Sequence, residues 1–225
     1  MNFSSPLRCV ITAGPTREPI DPVRYISNPS TGKMGYAIAQ AAVDMGWTVD
    51  LISGPTHLEE PSECIHYPVV SGEEMFNQVD ALFDACDVLI MTAAVVDFRP
   101  SNPMAMKEKK GDAQLSLKME PVVDILKTVS KRKKDQYLVG FAAETNDLEN
   151  YALRKLKEKN LDLIAANLIG GSGSGFGLDE NILTLLGPDG FREKWPAASK
   201  DSLGKDLVSL ISRRMKERQN TGVSV

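Results

Sequence analysis

Residues Leu7–Gln40, LRCVITAGPTREPIDPVRYISNPSTGKMGYAIAQ, decide the reading of this chain. An apolar run, Cys9-Val10-Ile11, meets a turn at Gly14-Pro15. Only after a long polar stretch does a second turn, Ser27–Gly32, launch a helix. The pattern predicts strand, long loop, helix. In an open α/β sheet, ligands bind off the carboxyl ends of strands, where a helix N-terminus offers N–H groups and a positive dipole end to an anion. Gly14, Gly32 and Gly35 allow close backbone approach, Ser30 and Thr31 can cap or donate, and Arg24 and Lys33 add charge. This loop predicts a phosphate-bearing ligand, although GxxxxGK[ST] is absent and it is no Walker A motif.

Outward from that stretch, strand and helix alternate. A helix is expected over about Lys33–Gly46, strands over Trp47–Ser53 and Ile65–Val70, and a helix from Ser71, capped by that serine, to about Cys86. Asp87–Met91 reads as an apolar strand leading into Thr92-Ala93-Ala94-Val95-Val96-Asp97. Residues 98–111 lack a period and read as a mobile cationic loop, set within a flexible stretch of about 98–113. Beyond it come a short strand at Gln114–Met119, a helix at Val122–Lys131, a strand at Tyr137–Ala142, a helix at Asn146–Lys159 capped by Asn146 or Thr145, and a strand at Leu161–Ala166. Ile169–Gly177 is a Gly/Ser-rich loop. Asn181–Leu186 and Phe191–Trp195 form a hairpin about Gly187-Pro188-Asp189-Gly190, and Ser199–Arg218 is a last amphipathic helix. The fold class expected is α/β: one domain over residues 1–225, a Rossmann-like, doubly wound, mostly parallel sheet flanked by helices, with a C-terminal β-hairpin and helix.

The 225 residues, 42% hydrophobic and 25% charged, suffice for a full core. No run is long and apolar enough to span a bilayer, no signal sequence opens the chain, and a net charge of -4 argues against a general nucleic-acid binder. Cys9, Cys64 and Cys86 are odd in number and without metal spacing, which predicts reduced thiols in a cytoplasm. His57 and His66 lack companions at ligand spacing.

Two features invite chemistry. Asp97 follows a buried strand and can hold a ribose hydroxyl or a base, while Lys107, ten residues on, can close over a triphosphate as charge builds on leaving pyrophosphate. Tyr151-x-x-x-Lys155 has the spacing of short-chain NAD(P)-dependent oxidoreductases. Its companions are missing: no TGxxxGxG turn follows the first strand, Leu138 stands where a serine belongs, and Asp50 lies mid-strand and not at a strand end.

Five ordered motifs then carry a resemblance: ITAGPTREPIDPVRYISNPSTGKMG (Ile11–Gly35), TAAVVDFRP (Thr92–Pro100), KEKK (Lys107–Lys110), VGFAAET (Val139–Thr145) and KNLDLIAAN (Lys159–Asn167). Over nearly its whole length the chain resembles phosphopantothenoylcysteine synthetase, a ligase of coenzyme A biosynthesis found alone or fused behind a flavin decarboxylase. The resemblance implies activation of 4′-phosphopantothenate by CTP with Mg²⁺ through an acyl-cytidylate. L-cysteine's amine then displaces CMP, in a cytoplasmic homodimer with no nucleic-acid or membrane partner. By the same resemblance Asn28 holds the acyl-cytidylate, Arg24 belongs to that segment, and Lys107 is the catalytic loop lysine. Thr92, Ala93, Asp97, Phe141, Lys155 and Lys159 match the family's nucleotide pocket, with Val123, Asp124, Ile125 and Leu126 lining it on a looser match; Gly14, Ser30 and Gly32, read from the loop itself, are expected to bind the nucleotide with them. The amide of Asn28 is expected to donate to the oxyanion that develops on the acyl carbon. Glu108 departs from the family pattern by setting a negative charge between loop lysines. The metal's contacts are left open, and the start at Met1 leans toward a standalone enzyme. The alternatives are the oxidoreductase and a nucleotide-binding regulatory domain without catalysis.

Overall fold

The computed structural model describes residues 5–107, 115–144, 147–168 and 179–221. Its elements in chain order are β1 (Arg8–Ala13), β2 (Arg17–Asp21), β3 (Arg24–Ser27), α1 (Lys33–Asp44), β4 (Thr48–Ser53), β5 (Cys64–Pro68), α2 (Gly72–Phe83), β6 (Val88–Met91), β7 (Phe98–Pro100) and β8 (Met119–Pro121). There follow α3 (Ile125–Val129) with a 3₁₀ turn at Ser130–Arg132, β9 (Tyr137–Glu144), α4 (Leu148–Glu158), β10 (Leu163–Leu168), β11 (Glu180–Leu186), β12 (Arg192–Ser199) and α5 (Lys200–Thr221).

Eight strands form one sheet in the order β12-β11-β10-β9-β6-β1-β4-β5. From β10 to β5 neighbours run parallel, and the β11–β12 hairpin adds two antiparallel strands. Side chains of β1 alternate between two cores, as period-2 strands buried on both faces must. Cys9 and Ile11 face α1 and α5, packing with Ile38, Leu207 and Ile211, while Val10 faces α2, α3 and α4 with Phe83, Val129 and Leu156. The result is the expected doubly wound three-layer α/β fold. Strand order reverses between β1 and β6, and a topological switch point of this kind opens a crevice at the carboxyl ends.

Several local expectations are corrected. The long loop before α1 is in part a hairpin: β2 pairs with β3, and Asp21, only 2% exposed, pins its two-residue turn by accepting N–H bonds from Val23 and Arg24 at 2.9 Å each. No glycine marks this turn, so turn composition does not reveal it. The cationic loop begins with a strand, since β7 pairs with β8; of the strand expected over Gln114–Met119, Gln114 lies outside the described residues and Leu115–Lys118 are not strand, β8 starting at Met119. α3 starts at Ile125, three residues late, because Asp124 is its N-cap and accepts from the Lys127 N–H. The cap of α4 is Asp147 in the left-handed region; Thr145 and Asn146 lie outside the described residues, as does the Gly/Ser-rich loop. β12 runs on to Ser199 through Pro196, which is tolerated because this strand is the sheet's outer edge. The cap at Ser71 holds as read, reciprocated by Glu74.

Candidate functional site

Loops leaving β1 and β6 are stitched together beyond the sheet. Ala94 N–H donates to the Gly14 carbonyl at 2.9 Å, the Thr92 hydroxyl to the Thr12 carbonyl at 2.6 Å, and the N–H groups of Ala93 and Val96 to the hydroxyls of Thr12 and Thr16 at 3.2 Å each. Above this floor lies a cleft of about 500 Å³ walled by Asn28 and residues 30–35, 91–97, 122–126 and 141–143, with Lys159, Asn167, Asn181 and Lys200.

α1 enters the cleft uncapped by any side chain. Its N-cap is Gly32, at φ 80°, whose N–H donates to Ser30 Oγ at 3.3 Å. First-turn N–H groups have no intrahelical acceptor, so a helix begun in this way presents them and its dipole to a ligand. A Cβ on Gly35 would stand 2.5 Å from both Ala13 Cβ and Thr92 Oγ1, so glycine is what lets the helix start press onto β1 and β6.

Asn28 is tied to the loop that follows β6. Its Nδ2 donates to the carbonyls of Ala94 and Val95, both at 3.2 Å. Carbonyls can only accept, which fixes the amide orientation and turns Oδ1, an acceptor, toward other partners. In this arrangement the donor end clamps the β6 loop.

Of the residues anticipated from the sequence, Asn28, Ser30, Gly32, Thr92, Ala93, Asp97, Val123, Asp124, Ile125, Leu126, Phe141 and Lys159 meet on the cleft wall. Lys159 pairs with Asp124 at 2.9 Å, tying α4's end to α3's start. Gly14, Arg24, Lys107 and Lys155 are not on the wall. Gly14 lies beneath it, its Cα 3.3 Å from where a Gly32 Cβ would be. Arg24 engages the buried Asp21 carboxylate at 2.5 Å, Lys155 pairs with Glu144 at 2.7 Å, and Lys107 is exposed. Glu108, Lys109 and Lys110 lie outside the described residues.

Tyr151 stacks under Arg154 at 5.0 Å and is off the cleft, so the Tyr-Lys spacing assembles no dyad there. Asp50, fully buried, takes Arg8 Nε at 2.8 Å and the Tyr67 hydroxyl at 3.1 Å. Cys9 and Cys86 are free and buried; burial pushes both thiols up, Cys86 to about 12, which leaves them unreactive. His66 Nδ1 sits 2.7 Å from Glu60, and neither histidine lines the cleft. Sequence reasoning missed Asn167, Asn181 and Lys200 as wall residues. Lys200 carried a signal nonetheless, for a lysine in a helix's first turn opposes the dipole.

A doubly wound sheet whose switch point opens into a cleft led by an uncapped helix and edged by lysines defines a Rossmann-like α/β domain of the kind that receives phosphorylated ligands. Within that class the chain belongs to the DNA/pantothenate metabolism flavoprotein C-terminal domain family, which matches residues 5–215. It is 49% identical over 209 residues to the coenzyme A biosynthesis bifunctional protein CoaBC of Bacillus subtilis (strain 168), covering 92% of this chain and 52% of that protein. The chain thus spans about half the length of the curated relatives it matches. Among solved structures it resembles the C-terminal domain of CoaBC, with TM-score 0.81 and 40% identity over 95% of this chain and 99% of that one. It also shares its fold with the Cab2 mutant H337A in complex with phosphopantothenate-cysteine, with TM-score 0.77 and 15% identity over 96% of this chain and 88% of that one.

Proposed function

We propose that this domain is a phosphopantothenate–cysteine ligase: it joins 4′-phosphopantothenate to L-cysteine, converting CTP to CMP and pyrophosphate by way of an acyl-cytidylate, in coenzyme A biosynthesis. What supports the reading is the convergence of Asn28, Asp97, Phe141 and Lys159 on one cleft beside the α1 N-terminus, in a chain of a family whose relatives bear coenzyme A biosynthesis names.

In the first step a carboxylate oxygen attacks the α-phosphorus and the bond to pyrophosphate breaks. Like charges repel along that path, so cationic and N–H partners must offset them. The α1 N-terminus and Lys33 lie along the cleft, and the exposed Lys107 is the lysine that would close over the triphosphate. Phe141 and the start of α3, held by the Asp124–Lys159 pair, suit the base and ribose. In the second step the cysteine amine attacks the acyl carbon and CMP departs. Asn28, its Nδ2 spent on the loop carbonyls, offers Oδ1 as an acceptor that can orient the amine N–H. Arg24, braced by Asp21, steadies the hairpin that carries Asn28.

Mg²⁺ commonly takes one or two carboxylates and keeps substrate phosphates as its other ligands. The exposed carboxylate of Asp97 on the cleft wall fits that donor set; the metal would neutralise phosphate charge there. A homodimer is part of the same reading, supported by apolar side chains left exposed on the hairpin and on β7, namely Val23, Tyr25 and Phe98. A cytoplasmic setting is consistent with free cysteines and with the lack, among the described residues, of any helix long and apolar enough to cross a membrane.

The test is a nucleotide panel, CTP against ATP, with 4′-phosphopantothenate and cysteine. Pyrophosphate release that requires the acid and CTP, followed by amide product, is expected. CTP binding without turnover would overturn the ligase reading in favour of a regulatory domain, and NADH binding without a CTP response would favour an oxidoreductase.

A further inference from the structure

Two helices deliver their N-termini to one corner of the cleft, and each begins with lysine. α1 starts at Lys33 and α5 at Lys200, and both side chains belong to residues of the cleft wall. The helices cross closely: a Cβ on Gly204 would lie 2.9 Å from the Ala37 carbonyl oxygen. A first-turn lysine sits where the dipole is already positive, so fold stability gives no reason to place it there twice.

Lys200 is 8% exposed. Burial and the neighbouring Lys33 charge push its ammonium down from the ordinary lysine range, while Asp179 pulls it back up. Asp179 pairs with Lys33 at 2.5 Å, with its own side chain 84% exposed, and its carbonyl accepts the Lys200 N–H at 3.1 Å. Asp201, the other acid at this helix start, lines a second cavity behind the lysines and not the cleft. On the cleft wall, then, two lysines stand beside two helix N-termini, while Asp179 and Asp201, with Glu59 and Glu60, line the cavity behind them. Lysines set at converging helix N-termini suit a phosphate.

A neutral donor completes the corner. Asn181 is 7% exposed and on the cleft wall, and its Oδ1 accepts the Ile182 N–H at 3.0 Å. The end it has left to offer is Nδ2, which no described group takes. An amide on the cleft wall whose N–H₂ end no described group takes, beside two lysines, is a donor set for oxyanions.

We infer that Lys200 and Asn181, together with Lys33 and the N-termini of α1 and α5, form a phosphate seat at the α5 end of the cleft. Its occupant is either the terminal phosphates of the nucleotide or the phosphomonoester of the acid substrate. Naming those two sources rests on the ligase reading above; the seat itself does not.

The experiment titrates inorganic pyrophosphate, and separately inorganic phosphate, into wild-type protein and the K200Q, K200R, K33Q and N181A variants by calorimetry, with thermal melts confirming that each variant folds. Affinity for at least one of the two anions is expected to fall about tenfold in K200Q and in N181A, with K200R restoring most of it. Equal affinity in wild type and K200Q, or no binding of either anion to the wild type at millimolar concentration, overturns the seat. Turnover then separates the sources. A raised KM for CTP alone in K200Q identifies the polyphosphate, and a raised KM for 4′-phosphopantothenate alone identifies the monoester. Lys200-dependent anion binding in a protein without ligase turnover would leave the seat standing and sink the ligase; normal turnover with K200Q indistinguishable from wild type in every assay would do the reverse.

Discussion

Replacing Asn28 by aspartate changes one atom and inverts the interaction it makes. Nδ2 now donates to the carbonyls of Ala94 and Val95, at 3.2 Å each. In the variant a carboxylate oxygen faces those two carbonyl oxygens. Two net hydrogen bonds of about 1 kcal/mol each are lost, and leaving the carbonyls without a donor adds about 1 kcal/mol or more. Water reaches this half-buried site, so the sum settles near 2 kcal/mol. For a chain of this size that lowers Tm by roughly 4–8 °C at neutral pH. The sign of the pH dependence follows from the carbonyls: they disfavour the charged form, raising the folded-state pKa of the new carboxyl above its unfolded value of about 3.9. The penalty is full above the folded pKa and shrinks as pH falls through it, because a protonated carboxyl donates one bond back. Thermal melts of variant and wild type at pH 8 and pH 5 measure this, the difference narrowing at pH 5. On the ligase reading the same protein still releases pyrophosphate from CTP and stalls before amide formation. Equal melting at both pH values, or normal amide product, would refute the clamp.

Three further outcomes are expected. Gly35→Ala forces α1 off β1 and β6 and costs about 1–3 kcal/mol, with weaker nucleotide binding, seen in denaturant melts and a CTP titration. Arg8→Met strands the fully buried Asp50 carboxylate and costs about 3 kcal/mol, whereas Asp50→Asn leaves a half-exposed arginine that water can solvate and costs about 1 kcal/mol; urea melts that rank them the other way would contradict the asymmetry. Burial of Asp189 works to raise its carboxyl pKa, but the Arg214 hydrogen bond and the Phe191 N–H prevail and hold it below the ordinary carboxylate range. Its stabilisation is thus present above about pH 4 and lost as pH falls further, and Asp189→Asn should flatten that part of the acid-unfolding curve.

The sheet was legible because buried parallel strands are near-continuous apolar runs, as Val88–Met91 and Tyr137–Ala142 show. The β2–β3 hairpin was not, since a carboxylate accepting backbone N–H groups at Asp21 replaces the glycine a turn reading looks for. α3 was read too long for the same reason: Asp124 looks like any helix-flanking acid until its bond to Lys127 N–H is seen. At the site, motif positions on the β1 and β6 loops line one cleft. The direction of the Asn28 amide depends on where Ala94 and Val95 turn their carbonyls, which spacing does not encode. Lys200 and Asn181 come from the far end of the chain, and only the register of β11 against β10 brings them across.

The hydrogen bonds joining residues 12–16 to residues 92–96 make the cleft's floor an extension of the sheet. Such a floor does not flex with its occupant, so any adaptation on loading falls to the side walls at α3, α4 and α5. Amide protons of Ala93, Ala94 and Val96 should accordingly exchange with solvent on the slow timescale of the central strands, in a stretch that carries no strand of its own.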